Sequence, residues 1–371
     1  MDFELYKYQV ATETINYNNI FLLSDLHFGV RANSLEWLQN HQDFFYNFYI
    51  PFLEKNKKEG DILFILGDWF DNRQLLDIFI MNASIDIMVK LCNIIPVYFL
   101  TGNHDIYKKY DTDVNSLRAF KFIPGITIFE KPVIITNNEN KILLLPWIGN
   151  KEDEENYIKS NKVDYIFAHT DIEGFRYDNG RVITHGVNFK VAKGIKRIFS
   201  GHIHKRQENK KTIYIGSPYH TKRSDIGNEK ALYIFNPNEN TILLEKNTIS
   251  SIFQRIRLEN LMEYALDDVI KILENNYTDI IVPDKYIHLF NLTKFVELLQ
   301  ECKYKKIETV SEKNKIEDSF SEIIGGEEIK DILTLLEMSI DESLQEEQTL
   351  IKLKSLNKQY YESASKEELQ Y

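Results

Sequence analysis

Cysteine is nearly absent from this 371-residue chain, which carries only Cys92 and Cys302. Two distant cysteines outside any metal-binding spacing predict neither a disulfide framework nor a thiolate metal site, and they favour a reducing compartment. Long hydrophobic runs are also missing, so no membrane-spanning segment is expected. The first residues lack the basic start and apolar stretch of a secretory signal. We therefore expect a cytoplasmic protein that does not associate with membranes.

An excess of basic residues, which is typical of strong nucleic-acid binders, is missing as well. The chain has 45 Lys and Arg against 56 Asp and Glu, a net charge of −11. Residues 326–371 contain eleven acidic and five basic side chains, so more than half of the negative charge lies at the end of the chain. With 43% hydrophobic and 27% charged residues, the composition is that of a globular protein with a large core. Any affinity for DNA is expected to be weak without a partner.

What the chain does contain is a series of five short motifs with metal-ligand side chains. Each follows a short apolar run typical of a buried strand, at residues 19–23, 61–66, 94–100, 163–168 and 195–200. In order, the motifs are Ser-Asp-Leu-His (Asp25, His27), Gly-Asp-Trp-Phe-Asp (Asp68, Asp71), Gly-Asn-His-Asp (Asn103, His104, Asp105), Ala-His-Thr-Asp (His169) and Gly-His-Ile-His (His202, His204). Because ligands bind beyond the carboxyl ends of strands in open α/β sheets, we expect all five motifs at one edge.

The spacing within the motifs suits a common centre. Residues i and i+2 of an extended chain point to the same side, which applies to Asp25 with His27 and to His202 with His204. Taken singly, an Asp-x-His or Gly-Asp pair is usually a turn or a helix cap, and the indication comes from the set. Imidazole, carboxylate and amide donors without thiolate favour a catalytic pair of divalent cations over a structural zinc site.

With these motifs the chain resembles the calcineurin-like metallophosphoesterases. Among them it is most similar to the SbcD-type nucleases of double-strand-break repair, including phage recombination endonuclease subunits. The shared signature runs from Ile20 to His204. Further segments that carry the resemblance to the nuclease branch are Leu-Pro-Trp at 145–147, Gly-Phe-Arg-Tyr at 174–177, Thr-His-Gly at 184–186 and Tyr-Ile-Gly-Ser-Pro-Tyr at 214–219. The similarity thins after about residue 250.

The resemblance implies two metal shells that share one carboxylate. The first consists of Asp25, His27, Asp68 and His204, and the second of Asp68, Asn103, His169 and His202. Two cations roughly 3.5–4 Å apart can stabilise the attacking and leaving oxygens of a phosphate ester together. The family preference implies manganese, although iron(II) and zinc also suit these donors and magnesium stays open.

The resemblance also implies the roles of three neighbouring residues. His104 would face the scissile phosphate, where it stabilises charge or protonates the leaving oxygen. Asp105 would orient the His104 ring, and Asp71 would support the ligands from behind. These assignments make His104 and Asp105 the candidate catalytic residues.

Basic side chains close to the motifs are candidates for contacts with the DNA backbone, which is bound mainly through charge. They are Arg31, Arg73, Lys108, Lys109, Lys205, Arg206, Lys222 and Arg223. His41, within a helix predicted over 35–57, is interpreted as a packing or surface residue.

The order of apolar runs predicts three parts. Residues 1–250 are expected to form the α/β fold of the family, a four-layer αββα metallophosphoesterase sandwich. Residues 251–315, with a strand-helix-strand-helix-strand pattern, would be a small α/β capping domain that helps position DNA. Residues 316–371 would be a linker and a helical segment, and the resemblance implies that this segment binds an SbcC-type coiled-coil ATPase. A homodimer is also expected from the family, with the apolar-rich residues 75–91 as the candidate helix.

We therefore predict a two-metal-dependent DNA nuclease, the catalytic subunit of an SbcCD-like repair and recombination complex. The resemblance implies single-strand endonuclease and 3′-to-5′ double-strand exonuclease activity. One alternative is a phosphomonoesterase or cyclic-nucleotide phosphodiesterase of the same fold, which would need neither the cap nor the helical tail. Another is a DNA-end tether that has lost catalysis, against which the complete ligand set argues.

Overall fold

A computed structural model of the chain describes residues 7–108, 111–287, 290–299 and 302–311. Contacts between Cα atoms divide the chain into two compact units. The first comprises Met1–Ile281 and Leu289–Thr309 and contains nearly all described residues. Of the second unit, only residues 282–287 and 310–311 are described. The predicted helical segment at 316–371 lies outside the described residues.

The larger of two central sheets has seven strands. Their order is β1 (Thr12–Thr14), β8 (Val133–Thr136), β9 (Lys141–Leu145), β10 (Tyr165–His169), β11 (Arg197–Gly201), β13 (Thr212–Tyr214) and β12 (Gln207–Glu208). The β8–β9 and β12–β13 pairs are antiparallel, and the other pairs are parallel. The strands predicted to deliver His169 and His202 are the neighbours β10 and β11 in this sheet.

The second central sheet has six strands. Their order is β15 (Thr241–Lys246), β14 (Ala231–Asn236), β2 (Ile20–Leu23), β3 (Ile62–Ile65), β4 (Val97–Leu100) and β7 (Ile126–Phe129). The strands from β2 to β7 are parallel, and β14 runs antiparallel to both neighbours. Strands β2, β3 and β4 deliver the first three motifs. The motifs therefore come from two sheets, and the expectation of a single sheet edge is wrong.

The main helices of this region are α2 (Leu35–Phe44), α3 (Ile50–Asn56), α4 (Ile78–Ile94) and α5 (Lys151–Ser160), and α2 is preceded by a short left-handed turn, α1 (Val30–Asn33). A π-helical stretch, Phe45–Tyr49, joins α2 to α3, so the helix predicted over 35–57 is present with an irregular centre. The Ser34 hydroxyl accepts a hydrogen bond from the Trp37 N–H and caps α2. No described helix combines the length and the apolar character that crossing a bilayer requires.

The side chains of each buried strand point alternately into apolar cores on the two faces of its sheet, and these cores separate the layers of the fold. In β2, Ile20 and Leu22 join the core that the two sheets share, whereas Phe21 and Leu23 join the core under α2 and α4. The opposite face of the seven-stranded sheet packs Leu143 and Ile166 against Ile158 of α5. Since successive strand residues point to opposite faces, fully apolar strands are buried on both sides. The four-layer αββα sandwich is confirmed.

A third sheet follows the sandwich, with β16 (Phe253–Arg257), β17 (Tyr277–Val282) and β18 (Lys306–Ser311) in that order. The helices α6 (Leu258–Met262), α7 (Leu266–Leu273) and α8 (Leu292–Leu298) connect these strands. Trp37 of α2 stacks on Phe253 and Tyr277, with ring centroids 6.0 and 5.4 Å apart. The strand-helix pattern expected for residues 254–310 is present, and its first two strands are held against the sandwich by aromatic packing.

Candidate metal centre and phosphate cleft

The ligand residues leave their strands through strained turns. Asp25, His27, Asp68 and His202 have φ values of 54°, 51°, 55° and 92°. A side chain with a Cβ rarely adopts this left-handed region, and such strain collects at functional sites because the surrounding structure enforces it. Here Asp25 accepts hydrogen bonds from the His202 N–H at 3.0 and 3.1 Å, which ties the loops of the two sheets together.

Asp68 lies between the two groups of ligands. Its Oδ2 is 3.2 Å from His169 Nε2 and 3.8 Å from His27 Nε2. Its Oδ1 accepts the backbone N–H of His104 at 2.8 Å. The Asp68 carboxylate is thereby fixed with Oδ2 close to ligands of both groups, which is the position that a bridging carboxylate needs.

Around Asp68 the potential ligand atoms form two sets that share no side chain and a third, His27, Asp71 and His104, that overlaps the first. Asp25, His27 and His204 each place one donor atom within 4.8 Å of the others, and so do Asp68, His169 and His202. Asn103 Oδ1 belongs with the second set, 3.0 Å from His169 Nε2 and 2.8 Å from His202 Nδ1. The structure thus brings all seven predicted metal ligands together, grouped as the two implied shells.

Two glycines permit this approach of loops. A Cβ on Gly102 would lie 2.2 Å from Asp68 Oδ1 and 2.4 Å from the Asp68 nitrogen. A Cβ on Gly201 would lie 2.0 Å from Ser24 Oγ and 2.9 Å from His169 Nδ1. No side chain fits at these two positions beside the ligands, so glycine is required there.

The residues present fit a pair of divalent cations. His27 is buried, and neither of its ring nitrogens has a hydrogen bond of good geometry, although Nδ1 lies 3.1 Å from Asp71 Oδ1. A buried imidazole without hydrogen-bond partners is costly, and a metal ion bound to a ring nitrogen removes that cost. The donors are nitrogen and oxygen atoms, the set that manganese, iron(II) or zinc accepts. Bound cations supply Lewis-acid charge and activation of water.

The electrostatics show why cations belong here. Burial alone would raise the pKa of Asp68, but the charges of His169, His104 and His27 hold it well below its usual value. Burial would lower the pKa of His169, yet the carboxylates of Asp68 and Asp25 raise it to about 9. Without a metal, His169 carries the compensating charge as a proton. A cation that binds this group must displace that proton.

His104 is held at the mouth of this centre. Its Nδ1 lies 2.6 Å from the carbonyl oxygen of Asp71, which can only accept, so Nδ1 carries the proton and Nε2 remains for exchange with a substrate. The carboxylate of Asp105 does not orient this ring as expected. It accepts the backbone N–H groups of Asp68, Trp69 and Gly102 at 2.8, 3.0 and 2.8 Å and so fixes the bridging loop. The Asp71 carbonyl has the orienting role instead.

The centre opens into a cleft of about 620 Å³. Its lining includes ligand-bearing residues, among them His27, His104 and His204, together with residues 177–179, Thr221, Lys222 and Ser224. Among the described residues that line it, Lys222 is the one lysine or arginine. A cleft of this size accommodates a nucleotide-sized group.

Comparison with known proteins agrees with this geometry. The calcineurin-like phosphoesterase family matches residues 19–206, a little over half of the chain. The chain belongs to the calcineurin-like phosphoesterases. It is an enzyme, a metal-dependent phosphoesterase, and residues 19–206 span all five motifs.

Two viral proteins are similar to this phosphoesterase along more than half of its length. Exonuclease subunit 1 of Enterobacteria phage T4 is 27% identical over 235 residues, which cover 62% of this chain and 68% of that protein. A putative phosphoesterase, 078R, of Invertebrate iridescent virus 3 is 27% identical over 220 residues, covering 55% of this chain. The second match spans 58% of the viral protein, less than two thirds of its length.

Among solved structures, a novel archaeal phosphodiesterase is 15% identical, with 62% of this chain and 99% of that chain covered and a TM-score of 0.33. A protein of unknown function from Aquifex aeolicus is 16% identical, with 62% and 96% covered and a TM-score of 0.28. Superpositions this loose do not bear on the details of the site.

The predicted DNA contacts of this phosphoesterase fall into different environments. Lys222 Nζ lies 2.6 Å from Asp178 Oδ2 inside the cleft. Arg31 packs over the rings of Trp37 and Phe253 at 5.3 and 5.5 Å.

Arg223 is engaged elsewhere, because its Nε is 2.9 Å from Asp279 Oδ1 and its Nη2 contacts Glu308. It therefore ties the third sheet to the turn at Arg223–Asp225, and its contact with DNA stays a prediction. Arg206 pairs with Glu208 at 3.2 Å. Arg73, Lys108 and Lys205 lie outside the cleft lining, and Lys109 lies outside the described residues.

Sequence reasoning missed the support behind His204. Lys230 is buried, and its Nζ contacts the His204 carbonyl oxygen at 2.7 Å, Ser217 Oγ at 3.0 Å and Asp225 Oδ1 at 2.8 Å. Asp225 also accepts the Thr221 N–H at 2.9 Å. Neither residue stands in a recognisable motif, so only the fold reveals them. Asp171, by contrast, closes the Ala-His-Thr-Asp motif and could have been nominated.

Proposed function

We propose that this phosphoesterase is a DNA nuclease, the catalytic subunit of an SbcCD-like repair and recombination complex. It would cut single strands endonucleolytically and degrade duplex ends in the 3′-to-5′ direction, with manganese as the preferred metal. The observation that carries the proposal is the pair of ligand groups sharing Asp68 beside His104. The similarity to a phage exonuclease subunit directs it toward DNA.

The cleft supports a phosphodiester substrate through three of its residues. Lys222 supplies a positive charge, and it would exchange its partner Asp178 for an entering phosphate. With a second proton on Nε2, His104 would donate that proton to the leaving oxygen and return to the neutral ring, whose Nδ1 proton stays hydrogen-bonded to the Asp71 carbonyl. Charge and proton transfer are thus both supplied by residues that line the cleft.

The substrate class is tested by direct competition of esters. The purified chain, loaded with manganese, is offered labelled single- and double-stranded DNA, a cyclic nucleotide and p-nitrophenyl phosphate. Cleavage of DNA well above the other esters is expected. Faster hydrolysis of the monoester or the cyclic nucleotide would replace the nuclease by another enzyme of this family, and binding without cleavage would indicate a tether.

The role of His104 is tested by His104→Ala. We expect a loss of roughly 10²–10⁴-fold in cleavage rate, the usual contribution of a general acid. Manganese content and melting temperature should be retained, because the implied ligands Asp25, His27 and His204 and the implied ligands Asp68, His169 and His202 lie together without the His104 side chain. The exposed His185→Ala is the matched control and should keep full activity. Undiminished cleavage by His104→Ala would remove His104 from the mechanism.

Two partners belong to the proposal. We propose that residues 316–371 bind an SbcC-type coiled-coil ATPase, which would also strengthen the weak DNA affinity expected from the net charge. We further propose a homodimer through the start of α4. Leu75, Ile78 and Phe79 are 72%, 75% and 67% exposed there, an apolar group that water disfavours.

A further inference from the structure

Asp171 stands directly behind one of the metal ligands. Its Oδ1 is 3.1 Å from His202 Nε2, while His202 Nδ1, on the other side of the ring, is 2.8 Å from Asn103 Oδ1. Asn103 Oδ1 is in turn 3.0 Å from His169 Nε2. Nδ1 of His202 therefore faces the second ligand group, and Nε2 faces away from it toward a carboxylate.

The neighbouring ligand His169 is arranged in the same way. Its Nε2 faces the group, and its Nδ1 lies 2.6 Å from the Leu66 carbonyl oxygen. An acceptor behind a ligating imidazole fixes which nitrogen carries the proton and makes the other nitrogen a better donor to metal. A carboxylate does this more strongly than a carbonyl, because the hydrogen bond is charge-assisted.

Asp171 is itself held in place. Its carboxylate is hydrogen-bonded by the Tyr177 side chain, and its carbonyl oxygen accepts the Val187 N–H at 2.7 Å. The Trp147 ring lies against the His202 ring, with centroids 5.0 Å apart, so the imidazole cannot turn freely away from the carboxylate. The segment thus presents a fixed acceptor to a confined ring.

We propose that Asp171 is a positioning residue for the second metal: it accepts the Nε2–H of His202 and thereby presents Nδ1 to the cation. The inference rests on the metal dependence of this family and not on the choice of DNA as substrate. It predicts that Asp171 governs occupancy of the group formed by Asp68, Asn103, His169 and His202. The group formed by Asp25, His27 and His204 should not depend on it.

The test compares Asp171→Asn with Glu173→Gln, which also replaces a carboxylate by an amide but at an exposed position two residues away. Manganese binding to the metal-free protein is followed by calorimetry and by the electron paramagnetic resonance of free Mn²⁺. In Asp171→Asn we expect one of two sites to weaken by roughly 10–100-fold and the other to stay within about twofold. Glu173→Gln should match the wild type. Two unchanged sites in Asp171→Asn would overturn the proposal.

A second readout concerns the ring itself. Nitrogen-15 spectra of the metal-free wild type, recorded at a pH where the His202 ring is neutral, should show its proton on Nε2, and Asp171→Asn should show a mixture of the two neutral forms. A neutral wild-type ring with its proton on Nδ1 would overturn the proposal. If Asp171→Asn does not fold, Tyr177→Phe, which removes only the hydrogen bond to Asp171, should weaken the same site by a smaller factor.

Failure here can be told apart from failure of the proposed function. In Asp171→Asn, any lost hydrolysis should return at high manganese, because the cation only binds more weakly. If the wild type binds two manganese ions but cleaves no DNA, the nuclease proposal fails and the role of Asp171 stands. If the wild type cleaves DNA and Asp171→Asn binds both ions normally, only the role of Asp171 fails.

Discussion

Replacing Lys230 by Met should strongly destabilise the protein, because it leaves a buried carboxylate without its counter-charge. The side chains of Lys230 and Asp225 are 3% and 0% exposed, with Nζ and Oδ1 2.8 Å apart. Removing one partner of a buried ion pair costs about 3–5 kcal/mol. The same change leaves the His204 carbonyl without its 2.7 Å donor.

The chain contains a matched surface pair for comparison. Lys246 and Glu229 have a shorter separation, 2.6 Å, but their side chains are 58% and 63% exposed. Water screens such a pair, which contributes about 0–1 kcal/mol. Lys246→Met should therefore leave stability almost unchanged although the distance is the smaller one. Burial, not separation, decides the size of the effect.

Thermal unfolding of the metal-free proteins measures the difference. Since about 1 kcal/mol shifts the melting temperature by roughly 2–4 °C in domains of 150–250 residues, Lys230→Met should melt roughly 6–20 °C lower than the wild type. Lys246→Met should lie within roughly 4 °C. Adding Asp225→Leu to Lys230→Met should recover much of the loss, because no unpaired charge remains. Equal melting temperatures for the two single variants would refute the reasoning.

Three further predictions address the metal centre, the loss of stability in acid and the dimer. Gly102→Ala should abolish manganese binding in calorimetry, since its Cβ would lie 2.2 Å from Asp68 Oδ1. The control Gly180→Ala, whose Cβ would have no atom within 4 Å, should still bind manganese. Normal binding by Gly102→Ala would contradict the close approach at Asp68. Burial lowers the pKa of His41 from 6.5 to about 3, so the unfolded chain takes up this proton first and stability falls as pH drops from about 6.5 toward 3. His41→Phe should reduce that loss in melting scans at successive pH values in chelator, and an unchanged pH profile would show that other groups dominate. Phe79→Glu should convert a dimer to a monomer in light scattering without loss of folded structure, whereas a monomeric wild type would remove the dimer proposal.

The sequence alone indicated the candidate ligands and the strands that carry them. Short apolar runs followed by Asp, Asn or His are a local pattern, and strand ends follow from local periodicity. For that reason the strands before Asp25, Asp68, Asn103, His169 and His202 were placed within a few residues of their positions in the structure. The order of elements in 254–310 was predictable on the same grounds.

The tertiary structure decided which sheet each motif comes from and which groups stand behind the ligands. The first three motifs leave one sheet and the last two another, because pairing between strands depends on contacts that are distant in sequence. For the same reason Asp105 anchors the bridging loop, the Asp71 carbonyl orients His104, and Lys230 supports His204. A polar side chain buried by folding must bind whichever partner the fold brings to it, and no local pattern records that partner.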